Sequence, residues 1–435
     1  MQSIDNKMVD EYVNNVCGLV KNKKVHENIK EELLSHIEEI IEEAVADGKS
    51  EEEAINCALL QMGSFDIVGS SLNKVHKAAP DWILLLMTSV FILFSIFTLG
   101  FMVKNDPTGL MESPLVRTTI CLIIGIVGVF VMLKIDYRSL KKYSKNIYVG
   151  TMIISILVLY IATAVNDGFG LICFESISFD IFKIFSITPV LFIFSLAGIF
   201  ENYDWSNIKR VLIGFALAFL PCMTFIFTQS LTNTIIYTIA VITLITVSGI
   251  GLRHILIYTG ALGVAFVLYI LQAQYRIDRM FSFLRPLDNT DGPGWMRNQI
   301  ATLRSSAGLF GQGGNYAQDM LPLANSDYIL TYIIYTFGWI IGIILLALVL
   351  AFIIRIGFVG VNTKNKYGKL IASGFCGLFA AQFLLNILMN LNLSPAFAVG
   401  MPFISYSGTG LIINMFTIGI ITNVYKWRNT PYITD

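Results

Sequence analysis

From Trp82 onward the chain is organised as apolar runs of seventeen or more residues separated by short polar breaks. They fall at 82–103, 115–135, 146–166, 181–200, 208–228, 234–250, 253–273, 329–354, 368–391 and 406–425. A helix needs about 20 residues to cross a hydrocarbon core roughly 30 Å thick, so each run predicts a transmembrane helix. The runs are continuous and not alternating, which argues against a spanning β-barrel. The pattern before Trp82 is different. In Val25–Ala46, apolar residues recur at spacings of three and four (Ile29, Leu33, Ile37, Ile40), which predicts one amphipathic helix. Asp47-Gly48 ends it, because glycine tolerates the left-handed cap conformation. Ser50 to Glu53 then reads as a capping box opening a second helix, with Ala54, Ala58 and Leu59 on its apolar side and Met62-Gly63 closing it. The predicted fold class is all-α. A small soluble helical domain (residues 1–80) precedes a polytopic membrane domain of about ten transmembrane helices (residues 81–435).

Composition agrees with that division. The 435 residues are 55% hydrophobic and 14% charged, with a mean hydropathy of +0.68; a soluble domain carries about 25% charge. Net charge is zero but unevenly spread. Residues 1–80 hold fifteen Asp/Glu against eight Lys/Arg, about −7, so the membrane part is about +7. An acidic head would repel phosphate, which argues against nucleic-acid binding. Lys and Arg also sort by loop. Arg138, Lys141, Lys142 and Lys145, Lys209 and Arg210, Arg253, Lys364, Lys366 and Lys369, and Lys426 and Arg428 all fall on one side of a ten-span arrangement. Among the opposite short loops, 104–114 has only Lys104, and 167–180, 229–233 and 392–405 have none. The asymmetry predicts a cytoplasmic location for the basic loops and for both termini. The polar, acidic start lacks a basic segment followed by an apolar run, so no cleavable signal peptide is expected and the first membrane helix drives insertion. The cysteines (17, 57, 121, 173, 222 and 376) form no C-x-x-C pair and read as small apolar residues, not disulfides or metal ligands.

One break is long. Residues 274–328 lie between the seventh and eighth spans, on the side opposite the basic loops, and loops of this length commonly carry function. They hold Arg276, Arg279, Arg285, Arg297 and Arg304, against the positive-inside tendency. Something anionic on that face would explain the arginines; charge pairing with Asp278, Asp288 and Asp291 is the equal alternative.

Several segments here, in this order, resemble the SEDS family of cell-wall proteins (RodA, FtsW and SpoVE). They are Tyr275-Arg276-Ile277-Asp278-Arg279, Phe283-Leu284-Arg285-Pro286, Asn298-Gln299-Ile300, Gly311-Gln312-Gly313, Leu321 to Ile329, and Met401-Pro402-Phe403-Ile404-Ser405-Tyr406-Ser407-Gly408-Thr409. Ser178 to Lys183 is a fainter match. The resemblance covers about 82–428, and residues 1–80 resemble the small helical prefix domain found ahead of some bacterial permeases. The chain departs from the family at Leu323 (a Glu there), Asn325 (a His), Tyr335-Thr336-Phe337-Gly338 (G-E-E-x-G) and Gln229 to Asn233, which lacks an Asp.

The resemblance implies a ten-helix peptidoglycan glycosyltransferase in the bacterial cytoplasmic membrane. It would polymerise lipid II at the outer face, beside a class B penicillin-binding transpeptidase. Such transfer needs a base for the acceptor sugar hydroxyl and positive charge for the departing pyrophosphate. Asp327 matches the family's essential aspartate and is the candidate base, with a helix cap as its alternative role. Arg276 and Arg279 are candidate pyrophosphate ligands, since guanidinium matches phosphate oxygens. Asp180 and Lys183, three apart on one helix face, are candidate substrate contacts or an interfacial ion pair. Gln299, Ser405 and Tyr406 are further candidate substrate contacts, the last two alternatively a packed helix start. A divalent cation at the pyrophosphate fits the chemistry, but no carboxylate cluster or nucleotide fingerprint appears. The alternatives are a non-catalytic lipid II-binding scaffold, for which the departures speak, and a lipid-precursor flippase, for which no internal repeat speaks.

Overall fold

The computed structural model describes residues 7–75, 79–105, 112–166, 186–228, 230–272, 274–281, 293–313 and 321–429. The chain divides into two compact units, Met1–Pro80 with Tyr425–Asp435, and Asp81–Val424.

The first unit contains α1 (Lys7–Leu19), α2 (His26–Ala46), α3 (Glu51–Met62) and α4 (Phe65–Val75). Val9, Val13 and Val16 of α1 pack with Ile29, Leu33, Ile37 and Ile41 of α2 and with Ala54, Ile55 and Ala58 of α3. The 3.6-residue period carries the stripe of α2 from Ile37 to Ile41 and Ala44, so Ile40 lies at its edge, only partly buried. The capping box is present: Ser50 Oγ accepts from Glu53 N and Glu53 Oε2 accepts from Ser50 N at 3.2 Å. Gly48 and Gly63 take positive φ where α2 and α3 end.

The second unit is the membrane domain. Its long apolar helices are α5 (Trp82–Lys104), α6 (Glu112–Lys134), α7 (Ser144–Asn166), α9 (Ile208–Phe227), α11 (Leu252–Leu271), α14 (Ile329–Val361), α15 (Lys366–Asn390) and α16 (Gly408–Lys426). All eight are long and apolar enough to cross a membrane. Two shorter apolar helices, α8 (Thr188–Phe200) and α10 (Leu231–Val247), stand where the fourth and sixth spans were expected. Two polar helices, α12 (Gln274–Phe281) and α13 (Pro293–Ser306), occupy the long break. The chain is thus an all-helical, multi-pass membrane protein. α15 is central, packed against α8, α10 and α14. Beside it Phe91, Phe352, Phe379, Phe383 and Phe403 form an aromatic core with ring centroids 5.4–6.3 Å apart.

α14 is longer than its expected span and is broken. Gly338 adopts φ 91° and ψ 168°, which no helix contains. An unbroken helix would pair the N–H of Trp339 and Ile340 with the carbonyls of Tyr335 and Thr336. Instead the turn 308–313 lies in the gap. Gln312 N donates to Tyr335 O at 2.8 Å and Gly313 N to Thr336 O at 3.3 Å. Gly308 O accepts from Trp339 N at 3.1 Å and Leu309 O from Ile340 N at 3.3 Å. Four bonds replace two, so these four backbone groups of the break stay paired at membrane depth. Glycine is required on both sides of this contact. A Cβ on Gly338 would overlap the Leu309 carbonyl, and one on Gly311 would overlap that of Thr336; both residues also have positive φ.

Candidate active site

At the end of the domain away from the basic loops, a cavity of about 740 Å³ opens between the helices. The first turns of α8, α10 and α16 line it, with Pro189, Asn233 and Thr409 among them, and α6 adds Arg117 from its second turn. α15 contributes Gln382, and the turns before α14 and α16 contribute Asn325, Ser326, Ser405 and Tyr406. Helix N-termini carry unpaired N–H groups and partial positive charge, so three of them converging favour an anion. Neither α8 nor α10 has a side-chain cap to satisfy those donors. Arg117 is the sole charged side chain among the described lining residues. Gln382 Oε1 points from α15 without a hydrogen-bond partner among the described residues.

Asp327 follows Ser326 on the rim and does not itself line the cavity. Its carboxyl is half-buried and makes no hydrogen bond among the described residues. Burial pushes it above the usual aspartate value of 3.8. It does not cap α14: Tyr328 holds the N-cap position and no side chain of that turn bonds a free N–H. The cap comes from another helix. Asn390, at the end of α15 and fully buried, accepts from Thr331 N at 3.0 Å and from Thr331 Oγ1 at 2.8 Å. Its amide nitrogen donates to Asp327 O at 3.0 Å and to Asn386 O at 2.9 Å. Asn386, one turn earlier and also fully buried, donates to Asp327 O at 2.9 Å and Val399 O at 2.8 Å. Two asparagines on one face of α15 therefore fix the backbone on which the carboxylate rides.

The turn before α16 is tied to the same backbone. Ser405 Oγ donates to Ser326 O at 2.6 Å and accepts from Met401 N at 2.7 Å; Tyr406 N donates to Asn325 O at 2.8 Å. Ser95 of α5 holds Ile404 O at 2.7 Å. Phe403, between them, takes φ 65° despite its side chain, a conformation costing roughly 1–2 kcal/mol. Its ring sits among Phe91, Phe352 and Phe379, and that packing offsets the strain.

The sequence-predicted residues therefore separate into three groups. Asp327, Ser405 and Tyr406 come together at the cavity mouth, with Ser405 acting as a strut. Arg276 and Gln299 are not among the cavity residues. The Arg276 guanidinium bonds Tyr269 O at 2.9 Å and stacks 4.0 Å from the Tyr269 ring, at the end of α11. Gln299 Oε1 on α13 is buried and has no partner among the described residues. Asp180, Lys183 and the Arg279 side chain lie outside the described residues. Among the described residues no three His, Cys, Asp or Glu side chains converge as metal ligands. Sequence reasoning passed over Arg117, Asn386 and Asn390. Arg117 could have been found as an ionisable residue inside an apolar span. The asparagines carried a weaker signal, polar residues four apart on an apolar helix.

Comparison with known proteins bears on this architecture directly. The FtsW/RodA/SpoVE family model, described as cell cycle protein, matches residues 79–430. The chain belongs to the SEDS family. Its N-terminal helices lie outside the matched region. Stage V sporulation protein E of Bacillus subtilis is 27% identical over 317 residues, covering 70% of this chain and 84% of the relative. The probable peptidoglycan glycosyltransferase FtsW of Trichlorobacter lovleyi is 26% identical over 321 residues, 71% and 82% of the two chains. Two solved structures share the SEDS fold. One chain, from a peptidoglycan synthase complex described as coordinating polymerization and crosslinking, has a TM-score of 0.65 at 18% identity, covering 81% of this chain and 99% of its own. RodA of Thermus thermophilus has a TM-score of 0.54 at 18% identity, covering 80% and 98%.

Proposed function

We propose that this SEDS protein is a peptidoglycan glycosyltransferase that polymerises lipid II at the outer face of the bacterial cytoplasmic membrane. The observation that carries the proposal is the cavity. Three helix N-termini and Arg117 face it, while the rim holds a half-buried carboxyl with no hydrogen bond among the described residues. The former suit a pyrophosphate and the latter a base. In this reading the acceptor sugar hydroxyl attacks the anomeric carbon of the lipid-linked donor. Its proton passes to the Asp327 carboxylate as the bond to the pyrophosphate oxygen breaks. Arg117 and the helix N-termini stabilise the charge on the leaving group. The Asn386–Asn390 clamp keeps Asp327 in place. Arg276, Arg279, Asp180, Lys183 and Gln299 remain proposed contacts for the rest of the substrate.

The same proposal places the basic loops, the N-terminal unit and the C-terminus in the cytoplasm and residues 274–328 outside, on the loop charge asymmetry. A class B penicillin-binding transpeptidase is the proposed partner. The peptidoglycan synthase complex among the structural matches and the glycosyltransferase names of the relatives support this reading.

A second reading, a lipid II-binding protein without catalysis, is favoured by one observation. Leu323 and Asn325 line the cavity where the family resemblance leads one to expect Glu and His, so its described lining contains no carboxylate. The deciding experiment incubates purified protein with labelled lipid II, with and without the transpeptidase. Wild type should form glycan chains. Asp327→Asn should lose about 10²–10⁴-fold in rate while retaining lipid II binding, and Arg117→Ala should weaken binding. Binding without polymerisation in the wild type establishes the second reading.

A further inference from the structure

The turn that fills the break in α14 carries two apolar side chains that no described residue covers. Phe310 is 83% exposed and Leu309 is 63% exposed. Their backbone is not loose. Leu309 O is bonded to Ile340 N, Gly308 O to Trp339 N, and Gln312 Nε2 donates back to Ser306 O at 2.7 Å. The Trp339 indole reaches Arg304 O at 3.3 Å, joining the same turn to α13. The exposed pair is therefore held at a fixed height on α14.

That height can be measured along two helices. Asp81, at the start of α5, is fully buried against Arg355 of α14, with Nε–Oδ2 and Nη2–Oδ1 both 2.9 Å. Trp82 beside it is exposed, as residues in the aromatic belt at a membrane boundary are. The pair marks one face of the bilayer. From Arg355 to Gly338 is 17 residues, about 25 Å of helix at 1.5 Å each. On α5 the route from Asp81 to Phe97 is 16 residues, about 24 Å. The two routes meet, because Phe337 packs on Phe97 at 5.6 Å and on Phe101 at 5.3 Å. In a hydrocarbon core roughly 30 Å thick, a point about 25 Å from one boundary lies inside the far leaflet, and any helix tilt sets it deeper. Phe97 and Ile340 beside the turn are exposed too, so the apolar surface is continuous.

We propose that Leu309 and Phe310 form a wedge immersed in the acyl chains of the leaflet on the Asp327 side. A turn from the long polar segment thereby contacts lipid directly. The wedge and the Gly311–Gly338 contact anchor the first turns of α14, and hence Asp327, to the membrane surface. The contact is lipid because the surrounding depth is hydrocarbon and the two side chains face outward from the helices.

The test uses the full chain in phosphatidylcholine–phosphatidylglycerol vesicles. Nitroxide labels are placed singly at Leu309→Cys, Phe310→Cys and, as a solvent-facing control, Ser305→Cys, in a background without native cysteines. Power-saturation measurements compare collision with oxygen and with a water-soluble nickel chelate. Labels at 309 and 310 should favour oxygen and the label at 305 the chelate. Chelate-favoured labels at 309 and 310 overturn the wedge. So do labels shielded from both reagents, which would mean that a protein surface, such as a second copy, covers the turn. Should the cysteine variants not fold, Phe310→Trp preserves the ring. The tryptophan emission it adds should be quenched by lipids brominated on the upper acyl chain and not by aqueous acrylamide; the reverse overturns the proposal.

Discussion

Removing the Asn390 side chain tests whether the cap supplied across helices holds the site together. Asn390→Ala takes the acceptor from Thr331 N and Oγ1 and the donor from Asp327 O and Asn386 O. Asp327 O keeps Asn386, at 2.9 Å. Thr331 N, buried at the first turn of α14, keeps no partner among the described residues and carries the desolvation cost of an orphaned donor, about 1–3 kcal/mol. The three remaining lost bonds add about 1 kcal/mol each at most, so the expected destabilisation lies at about 1–6 kcal/mol. A surface change costs within about 0.5 kcal/mol. Reversible unfolding in mixed detergent micelles, followed by circular dichroism, measures the difference. Thr331→Val should lose only about 1 kcal/mol, since its backbone N–H keeps its partner. Catalysis provides a second readout. A displacement of about 1 Å at a reacting group costs on the order of 10²-fold, so polymerisation should fall even below the unfolding range. A loss under about 1 kcal/mol in Asn390→Ala refutes the reasoning, because a buried cap cannot then be what orders this turn.

Gly338→Ala should detach the 308–313 turn, since its Cβ would overlap the Leu309 carbonyl, and hydrogen–deuterium exchange at Gln312 and Trp339 should rise by more than tenfold. The raised pKa of Asp327 predicts that polymerisation climbs with pH along an acidic limb centred above 3.8, because the base must be ionised. The same shift means the folded state holds that proton more tightly than the unfolded chain does. Its stabilising contribution is full below the unfolded pKa and is lost as pH rises through the folded one. Asp327→Asn should therefore be at least as stable as wild type at neutral pH while inactive, and a clear destabilisation in thermal unfolding counts against a strained site carboxyl. For topology, in a cysteine-free background Ser305→Cys should react with an impermeant maleimide added outside cells, and Ser139→Cys only after permeabilisation. The opposite pattern reverses the assigned orientation.

Sequence by itself determined the elements. Apolar runs located the long membrane helices to within a few residues at most ends, because a helix in lipid must satisfy its backbone internally and cover its length with apolar side chains. The capping box at Ser50 and the glycine stops at Gly48 and Gly63 were equally legible, being local chemistry within four residues. Asp327, Ser405 and Tyr406 were picked out as candidates through their neighbours in motifs. Tertiary structure alone decided what those residues touch. The break at Gly338 reads as uninterrupted hydrophobic sequence, and only the docked turn 308–313 makes it stable there. The N–H of Thr331 finds its cap 59 residues away on Asn390. Arg117 becomes a candidate ligand because three helix starts surround the cavity it faces. Arg276, prominent in its motif, is instead held by Tyr269. Hydrophobic periodicity records which side of each helix avoids water or meets lipid. It carries no information on which two buried faces, remote in the chain, will share a hydrogen bond.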